Sequence, residues 1–349
     1  MYFEKILIFM PINFKITIKD IAKALGVSVS TVSRALHNNH DISDSTIELV
    51  QSYAREHKYV PNSLALGLKN QRSRIVGVII PELANNFFST ILSGMELAAE
   101  RLGYYLIVCQ SMEDYEKEIF NVKTLLNAHV CGVMVSIAKT TKKFDHFKEF
   151  IYNDIPVVFF DRICPEIDAS KVVVDDYAGT FSAVEYMIKT GCKKIAFFHA
   201  PLNLEISKNR KNGFFDALIK NEIPINENFI RIADTKQLGY QNAFDLLQQA
   251  EHPDGFMCMN DYTAIGVLLA TKNLEINVPE DVSIFGFSNS EASQNTDPML
   301  STVNQHPLKI GEQAMNLLID KIGKNEHAPK NKIIKTSLVL RETTRNQKN

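Results

Sequence analysis

At 349 residues the chain is too long for one ordinary core, so two or three domains are expected. Apolar residues make up 45% and charged residues 22%, a soluble globular balance, and no apolar run approaches the length of a membrane span. The five cysteines, Cys109, Cys131, Cys164, Cys192 and Cys258, are odd in number, widely spaced and never in a C-x-x-C pair. Neither a disulfide framework nor a zinc site is indicated, and a reducing cytoplasm fits. The net charge of −2 is split unevenly: residues 1–74 hold ten Lys/Arg against six Asp/Glu, the remainder 28 against 34. A basic head on an acidic body suits nucleic-acid binding by the head, because like charge keeps the body off the phosphates.

The opening stretch, MYFEKILIFMPINFK, is apolar but lacks a basic n-region and a small-residue cleavage site, and no function is assigned to it. A helix-turn-helix pattern follows. Thr17 is a good N-cap with Asp20 three residues on, and Ile18, Ile21, Ala22 and Leu25 recur at helical spacing. Gly26 stands where the helix end needs a residue that tolerates positive φ. Val27 pins the turn, and Ser28 caps a second helix from Val29 to about Leu36, with Val32 and Ala35 facing inward. Val29, Ser30, Ser33 and Arg34 are left for the outer face, a set that a major groove requires. Arginine bonds bidentately to guanine, serine serves either base type, and valine packs on a thymine methyl. The bland alternative is a helical hairpin with a solvated polar face. A third helix opens at Ser43 and Asp44, closes a small core with Ile47, Val50 and Ala54, and ends at Tyr59-Val60-Pro61. Asn62 caps a leucine- and alanine-rich segment, Ser63–Lys69, and Gln71-Arg72-Ser73-Arg74 form a polar linker.

From Ile75 short apolar runs alternate with helical stretches. The first set is Ile75–Ile80, Tyr105–Cys109, Gly132–Val135 and Pro156–Phe160. The second is Lys171–Val174, Ile195–His199, Phe229–Ile232, Phe256–Met259 and Val282–Phe287. Helical crossovers such as Phe88–Leu102 and Thr180–Thr190 lie between them, so the runs read as buried parallel strands. Two such series predict two doubly wound α/β lobes, with a ligand in the cleft between them. Catalytic patterns fail: there is no G-x-x-x-x-G-K-[ST] and no strand-linked G-x-G-x-x-G. Gly286-Phe-Ser288-Asn-Ser290 lacks the closing glycine of a nucleophile elbow, and none of the nine histidines pairs at i, i+4. No enzymatic activity, cofactor or metal site is expected.

Thr-Ile-Lys-Asp-Ile-Ala from Thr17, followed by Gly-Val-Ser-x-x-Thr-Val-Ser-Arg-Ala-Leu from Gly26, closely resembles the lactose/galactose-repressor (LacI/GalR) family of bacterial transcription regulators. The body extends the resemblance to about Glu342, through Ile-Val-Gly-Val-Ile-Ile-Pro at 75, Asp161-Arg162, Val174-Asp175-Asp176, Asn260-Asp261, Val278-Pro279-Glu280-Asp281 and Leu300-Ser301-Thr302-Val303. The resemblance implies an all-α helix-turn-helix head on a periplasmic-binding-protein-like body of two parallel-sheet lobes, crossed three times near Lys171, Ser301 and Asn331. The resulting plan is an extension (1–14), a DNA-binding head (15–60), a hinge and linker (61–73), a body (74–341) and a tail (342–349). Within the body the first lobe takes 74–171 and 301–330, and the second 172–300 and 331–341.

Carried over residue by residue, the DNA contacts are Thr17, Ser28, Val29, Ser30, Thr31, Ser33, Arg34 and His37 in the head and Asn62, Leu68 and Lys69 in the hinge. The resemblance places the hinge helix against its copy in the partner subunit, with Leu68 wedged between base steps in the minor groove. Gly67 weakens that helix by up to ~1 kcal/mol relative to alanine, which points to a helix formed on DNA. The implied effector contacts are Phe87, Phe88, Asp161, Arg162, Arg210, Asn260, Asp261 and Ser288, with Arg210 and Asp261 facing one cleft. The phenylalanines fit an ordinary core equally well, and each polar member also fits a salt bridge or a helix cap. Two departures bear on the effector. Ser288 stands where sugar- and purine-responsive members usually have Asp, and Leu204 and Ile206 replace polar contacts of the purine-responsive member. Without leucine heptads the tail predicts a homodimer and no coiled-coil tetramer.

The implied function is a cytoplasmic repressor that reads a pseudo-palindromic double-stranded operator of a catabolic operon, away from membranes. A small effector, a sugar or sugar derivative, controls it. The rivals are control by a partner protein such as a phosphocarrier, or by a non-sugar metabolite. A sugar-binding transport component would need a secretion signal and no basic head.

Overall fold

The computed structural model describes residues 16–59, 73–324 and 328–346, which divide near Ser73 into a head and a body. In the head, α1 (Ile18–Leu25), α2 (Val29–Leu36) and α3 (Asp44–Glu56) close over a small core. Ile21, Val32, Ala35 and Val50 are fully buried in it. Gly26 ends α1 at φ +65° and returns its N–H to the Ala22 carbonyl, a left-handed cap that a side chain would strain. The hinge residues Asn62, Leu68 and Lys69 lie outside the described residues.

The body begins with β1 (Ile75–Ile80), β2 (Tyr105–Gln110), β3 (Gly132–Val135), β4 (Val157–Phe160) and β5 (Ser170–Val174) in one sheet. A second sheet takes β6 (Ile195–His199), β7 (Ile230–Ile232), β8 (Gly255–Cys258), β9 (Ser283–Ser288) and β10 (Ser301–Asn304). The chain then returns β11 (Asn331–Ile334) to the first sheet and β12 (Ser337–Val339) to the second. Strand orders are β11-β5-β4-β3-β1-β2 and β12-β10-β9-β8-β6-β7. Every pairing is parallel except β10 with β12.

Helices supply the crossovers. The first lobe carries α4 (Asn86–Leu102), α5 (Tyr115–Asn127) and α6 (Asp145–Tyr152). The second carries α7 (Asp176–Lys189), α8 (Glu205–Lys220), α9 (Lys236–Leu247), α10 (Asp261–Asn273) and the short α11 (Glu291–Gln294), and α12 (Pro307–Lys324) comes back to the first. Alternation along the strands sorts the two faces of the first sheet. Val76, Val78, Met134 and Phe160 pack under α4 and α12, while Ile79, Val133, Val135 and Phe159 pack under α5 and α6. Helices α4 and α12 meet backbone to backbone: a Cβ on Gly94 would collide with the Leu308 carbonyl, and one on Gly311 with the Ile91 carbonyl.

The crossings fall later than the sequence suggested. Lys171 and Asn331 pair with each other inside the first sheet, and Ser301 pairs with Phe285 inside the second. The chain therefore changes lobe after Val174, Asn304 and Ile334, at the far ends of strands whose starts were taken as the crossings. Apolar runs mark where a strand lies; the sheet it joins is set by a partner some 160 residues away. The edge strands β2 and β7 are also not fully buried, with Tyr105 73% exposed. Residues 342–346 are no loose tail. Thr343 Oγ1 accepts from the Ser301 amide at 2.8 Å, and the Arg345 guanidinium donates to the Pro279 carbonyl at 3.0 Å.

Candidate functional site

Two sets of side chains stand out, one in each unit. In the head, α1 starts with a reciprocal cap: the Thr17 amide donates to Asp20 Oδ2 at 2.9 Å, and the Asp20 amide to Thr17 Oγ1 at 3.3 Å. The Thr17 hydroxyl also donates to Asp20 Oδ2 at 2.6 Å, and this bond, with that from the Thr17 amide, holds the Asp20 carboxyl below its ordinary value. The Ser28 hydroxyl accepts from the Thr31 amide at 3.0 Å and lies 2.7 Å from the Ser30 hydroxyl. At the other end of α2, His37 Nδ1 donates to the Ser33 carbonyl at 2.7 Å. Gln51 of α3 holds that end through Asn38 Oδ1 at 2.7 Å. Val29, Ser30, Arg34 and His37 are exposed, while Thr31 and Ser33 are half-buried beside them. An apolar face of α2 is locked into the core and its polar face, with one arginine, is presented whole.

In the body, polar groups gather where the carboxyl ends of the two sheets face each other. Asp161 follows β4 at φ +57°, a conformation that Asp tolerates better than most residues. It is buried, and Ser136 Oγ donates to it at a long 3.4 Å. Burial pushes its carboxyl up to about 6; Asp176 adds to the rise, and the Arg162 and Arg210 guanidiniums oppose it. Arg162 NH1 donates to both Glu113 oxygens, at 2.7 and 2.9 Å, while its buried Nε has no hydrogen-bond partner and sits 3.9 Å from Asp161 Oδ2.

Arg210 lies one turn into α8, buried, with its guanidinium 3.7 Å from the Phe287 ring centroid. It donates to Asp176 Oδ1 at 2.7 Å, to the Met259 carbonyl and to Gln305 Oε1 at 3.4 Å. Gln305 in turn donates to Ser288 Oγ at 2.8 Å. Ser288 sits at φ 128°, a strained backbone that persists only where neighbours fix it. Beside it opens a chamber of about 670 Å³, lined by Asn86, Phe87 and Thr90, by Ser288 to Glu291, and by Asn304 and His306 among others.

The expected contacts therefore separate. Phe87 and Ser288 line the chamber, while Asp161, Arg162 and Arg210 are not among its lining residues and act on one another, Arg210 reaching Ser288 through Gln305. Phe88 is core, 2% exposed on the buried face of α4, with Arg162 5.8 Å above its ring. Asn260 caps α10 through the Thr263 amide at 2.8 Å and donates to the Asp234 carbonyl at 3.1 Å. Asp261 does not face the cleft beside Arg210 as expected. Its oxygens accept from the Ser290 amide at 2.6 Å and from Thr302 Oγ1 at 2.5 Å, so it braces two loops, and burial raises its carboxyl. Sequence reasoning missed Glu113, Asp176 and Gln305, the partners that hold both arginines. Asp176 stood within a quoted motif; Glu113 and Gln305 carried no signal.

Residues 17–62 match the family described as bacterial regulatory proteins, lacI family, and residues 184–344 match a periplasmic binding protein-like domain. The HTH-type transcriptional repressor CytR of Escherichia coli is 30% identical over 330 residues, covering 94% of this chain and 96% of the relative. The chain belongs to the lacI family. The lac repressor dimer bound to operator and the anti-inducer ONPF matches 95% of the chain and 99% of its own, with a TM-score of 0.84 at 26% identity. A LacI family transcriptional regulator from Enterococcus faecium with bound ribose covers 78% and 98%, with a TM-score of 0.69 at 25% identity.

As a lacI-family member the protein is a DNA-binding transcriptional repressor with an effector-binding body, and its homologues are regulators, not enzymes. Among the described residues no helix is long and apolar enough to cross a membrane, and no His, Cys, Asp and Glu group is placed to hold a metal.

Proposed function

We propose that this repressor acts in the cytoplasm as a homodimer on a pseudo-palindromic operator of a catabolic operon, and that an uncharged, hydroxyl-rich small molecule controls it. A sugar or sugar derivative is that molecule, seated between the lobes. The observation that carries the reading is the charge pairing of the cleft. Arg210 is paired with Asp176 and Arg162 with Glu113, so the protein's own carboxylates already balance both cations. Around the chamber, Asn86, Thr90, Ser288, Ser290 and Asn304 supply short-range donors and acceptors, and its charged lining residues, Glu291, Glu312 and Lys309, carry no excess of positive charge. Such a surface favours hydroxyl groups over a phosphate or carboxylate, which would leave its charge unpaired in a buried site. The bound ribose of the Enterococcus faecium relative fits the same chemistry. In the head, Arg34 and Ser30 are the base readers, with Ser28, Thr17 and Thr31 positioning α1 and α2 on phosphates.

Calorimetric titration of the full-length protein, with and without operator duplex, tests this. The panel is neutral pentoses, hexoses, disaccharides and nucleosides beside their phosphorylated forms. One neutral compound is expected to bind, and operator to shift its affinity by the factor by which it shifts operator affinity. Binding confined to phosphorylated compounds overturns the reading.

A further inference from the structure

We propose that Leu204 and Ile206 form an apolar seal that holds the two lobes together at one end of the cleft without any ligand, and that leaves the chamber beside Phe87 and Ser288 to the effector. Both belong to the second lobe, at the start of α8, yet they are only 5% and 8% exposed. They are buried in the same packed cluster as Ile137, Phe159, Cys164 and Ile167, all of the first lobe. Two aliphatic side chains on a loop of one lobe are thus removed from water by the other, and separating the lobes would expose them.

A polar rim surrounds the seal. Asn203 Nδ2 donates to the Lys139 carbonyl at 2.8 Å, and Lys139 Nζ reaches Asp234 Oδ2 at 3.1 Å, each bond joining the two lobes. None of the seal residues lines the 670 Å³ chamber, whose walls come from the start of α4, the β9–α11 loop with α11, the crossing before α12 and the first turns of α12. A ligand edge carrying donors or acceptors would find only hydrocarbon at the sealed end and lose its hydrogen bonds there. The proposal rests on the cleft being the effector seat, but closure of the sealed end is a property of the ligand-free protein and can be read without knowing the effector.

Hydrogen exchange measured by mass spectrometry on the ligand-free, full-length protein decides it. The substitutions sit on the second lobe, and the readout is the facing first-lobe loops, residues 136–141 and 163–168. In Leu204→Asn/Ile206→Thr these loops are expected to exchange on the order of ten-fold faster or more than in the wild type. In Leu204→Met/Ile206→Val, which keeps hydrocarbon at both positions, they should stay at the wild-type rate. Strands β1, β3, β6 and β8 serve as the folding control in every variant. If the polar pair disturbs those strands, the single change Ile206→Thr, which keeps the β-branched shape and alters one position only, gives the same comparison. Unaltered exchange of the first-lobe loops in a polar variant with intact strands overturns the seal. A failed sugar titration leaves these rates untouched, so the two readings fail separately.

Discussion

The recognition helix and the effector cleft use their functional side chains in opposite ways. On α2, Val29, Ser30 and Arg34 are exposed, and the core beneath them is built by Val32 and Ala35 instead. In the body, Asp161 and Arg210, proposed for the cleft, are buried, and each is bonded to a residue distant in the chain. Contacts of the first kind can be altered one at a time, because the fold does not depend on them. Those of the second kind are structural and functional at once, so a change meant to weaken ligand binding also unpairs a buried charge. The contrast suits a repressor with a DNA-binding head and an effector-binding body.

The largest effect should come from the ion pair of the second lobe. Asp176→Ala leaves the buried Arg210 guanidinium without its carboxylate, and breaking a buried pair from one side costs about 3–5 kcal/mol. Urea unfolding of the full-length protein should show that loss, and adding Arg210→Leu should recover part of it, since no uncompensated charge remains. If the single variant unfolds like the wild type, the pair is not structural and the contrast with α2 collapses.

The next effect depends on pH. Asp161 has a carboxyl raised to about 6 against an ordinary value near 3.8, so between those values the folded state binds more protons than the unfolded one. Its favourable contribution is complete below about 4 and is lost as the pH rises through about 6. Asp161→Asn should remove this slope and stabilise the protein at pH 7.5 by on the order of 2–3 kcal/mol. Unfolding midpoints from pH 4 to 8 check it, and parallel curves for the two proteins would place the carboxyl elsewhere on the pH scale.

These two predictions concern residues that were unequally visible in the sequence. The head was legible because its function is local: cap, turn, core positions and outer face all fall within twenty residues, and helical periodicity sorts them. In the body, Ile75–Ile80 and Gly132–Val135 could be placed as strands, because buried parallel strands are continuous apolar runs. What could not be read was pairing. Glu113 reaches Arg162 across 49 positions and Gln305 reaches Arg210 across 95, and no periodicity connects such residues. The same limit misdirected Asp261, whose place after a strand suggested a ligand contact until Ser290 and Thr302 were seen to occupy its oxygens.

On the head, Arg34→Ala should reduce affinity for the cognate operator by about 1–3 kcal/mol, the value of one bidentate base contact. Because Arg34 is exposed, the unfolding midpoint should not move, unlike that of Asp176→Ala. Binding to a scrambled duplex at the same salt rests on phosphate contacts and should change much less. Equal losses on both duplexes would make Arg34 a phosphate clamp and leave base reading to Ser30 and Val29.

The smallest effect is expected where the cleft most resembles a surface. Lys139 spans the lobes to Asp234, but its side chain is 39% exposed, so water and salt screen the pair. Holding a long lysine in one geometry also costs side-chain entropy. Exposed ion pairs of this kind contribute about 0.2–1 kcal/mol, and Lys139→Met, which keeps most of the aliphatic stem, should lose no more than that. The backbone part of the rim, Asn203 to the Lys139 carbonyl, survives the substitution. Exchange of residues 136–141 in Lys139→Met should therefore stay near the wild-type rate at physiological salt, with any difference from the wild type widening at lower ionic strength, where the pair is less screened. A loss as large as that of Asp176→Ala would mean that charge, and not the hydrocarbon of Leu204 and Ile206, keeps that end of the cleft shut.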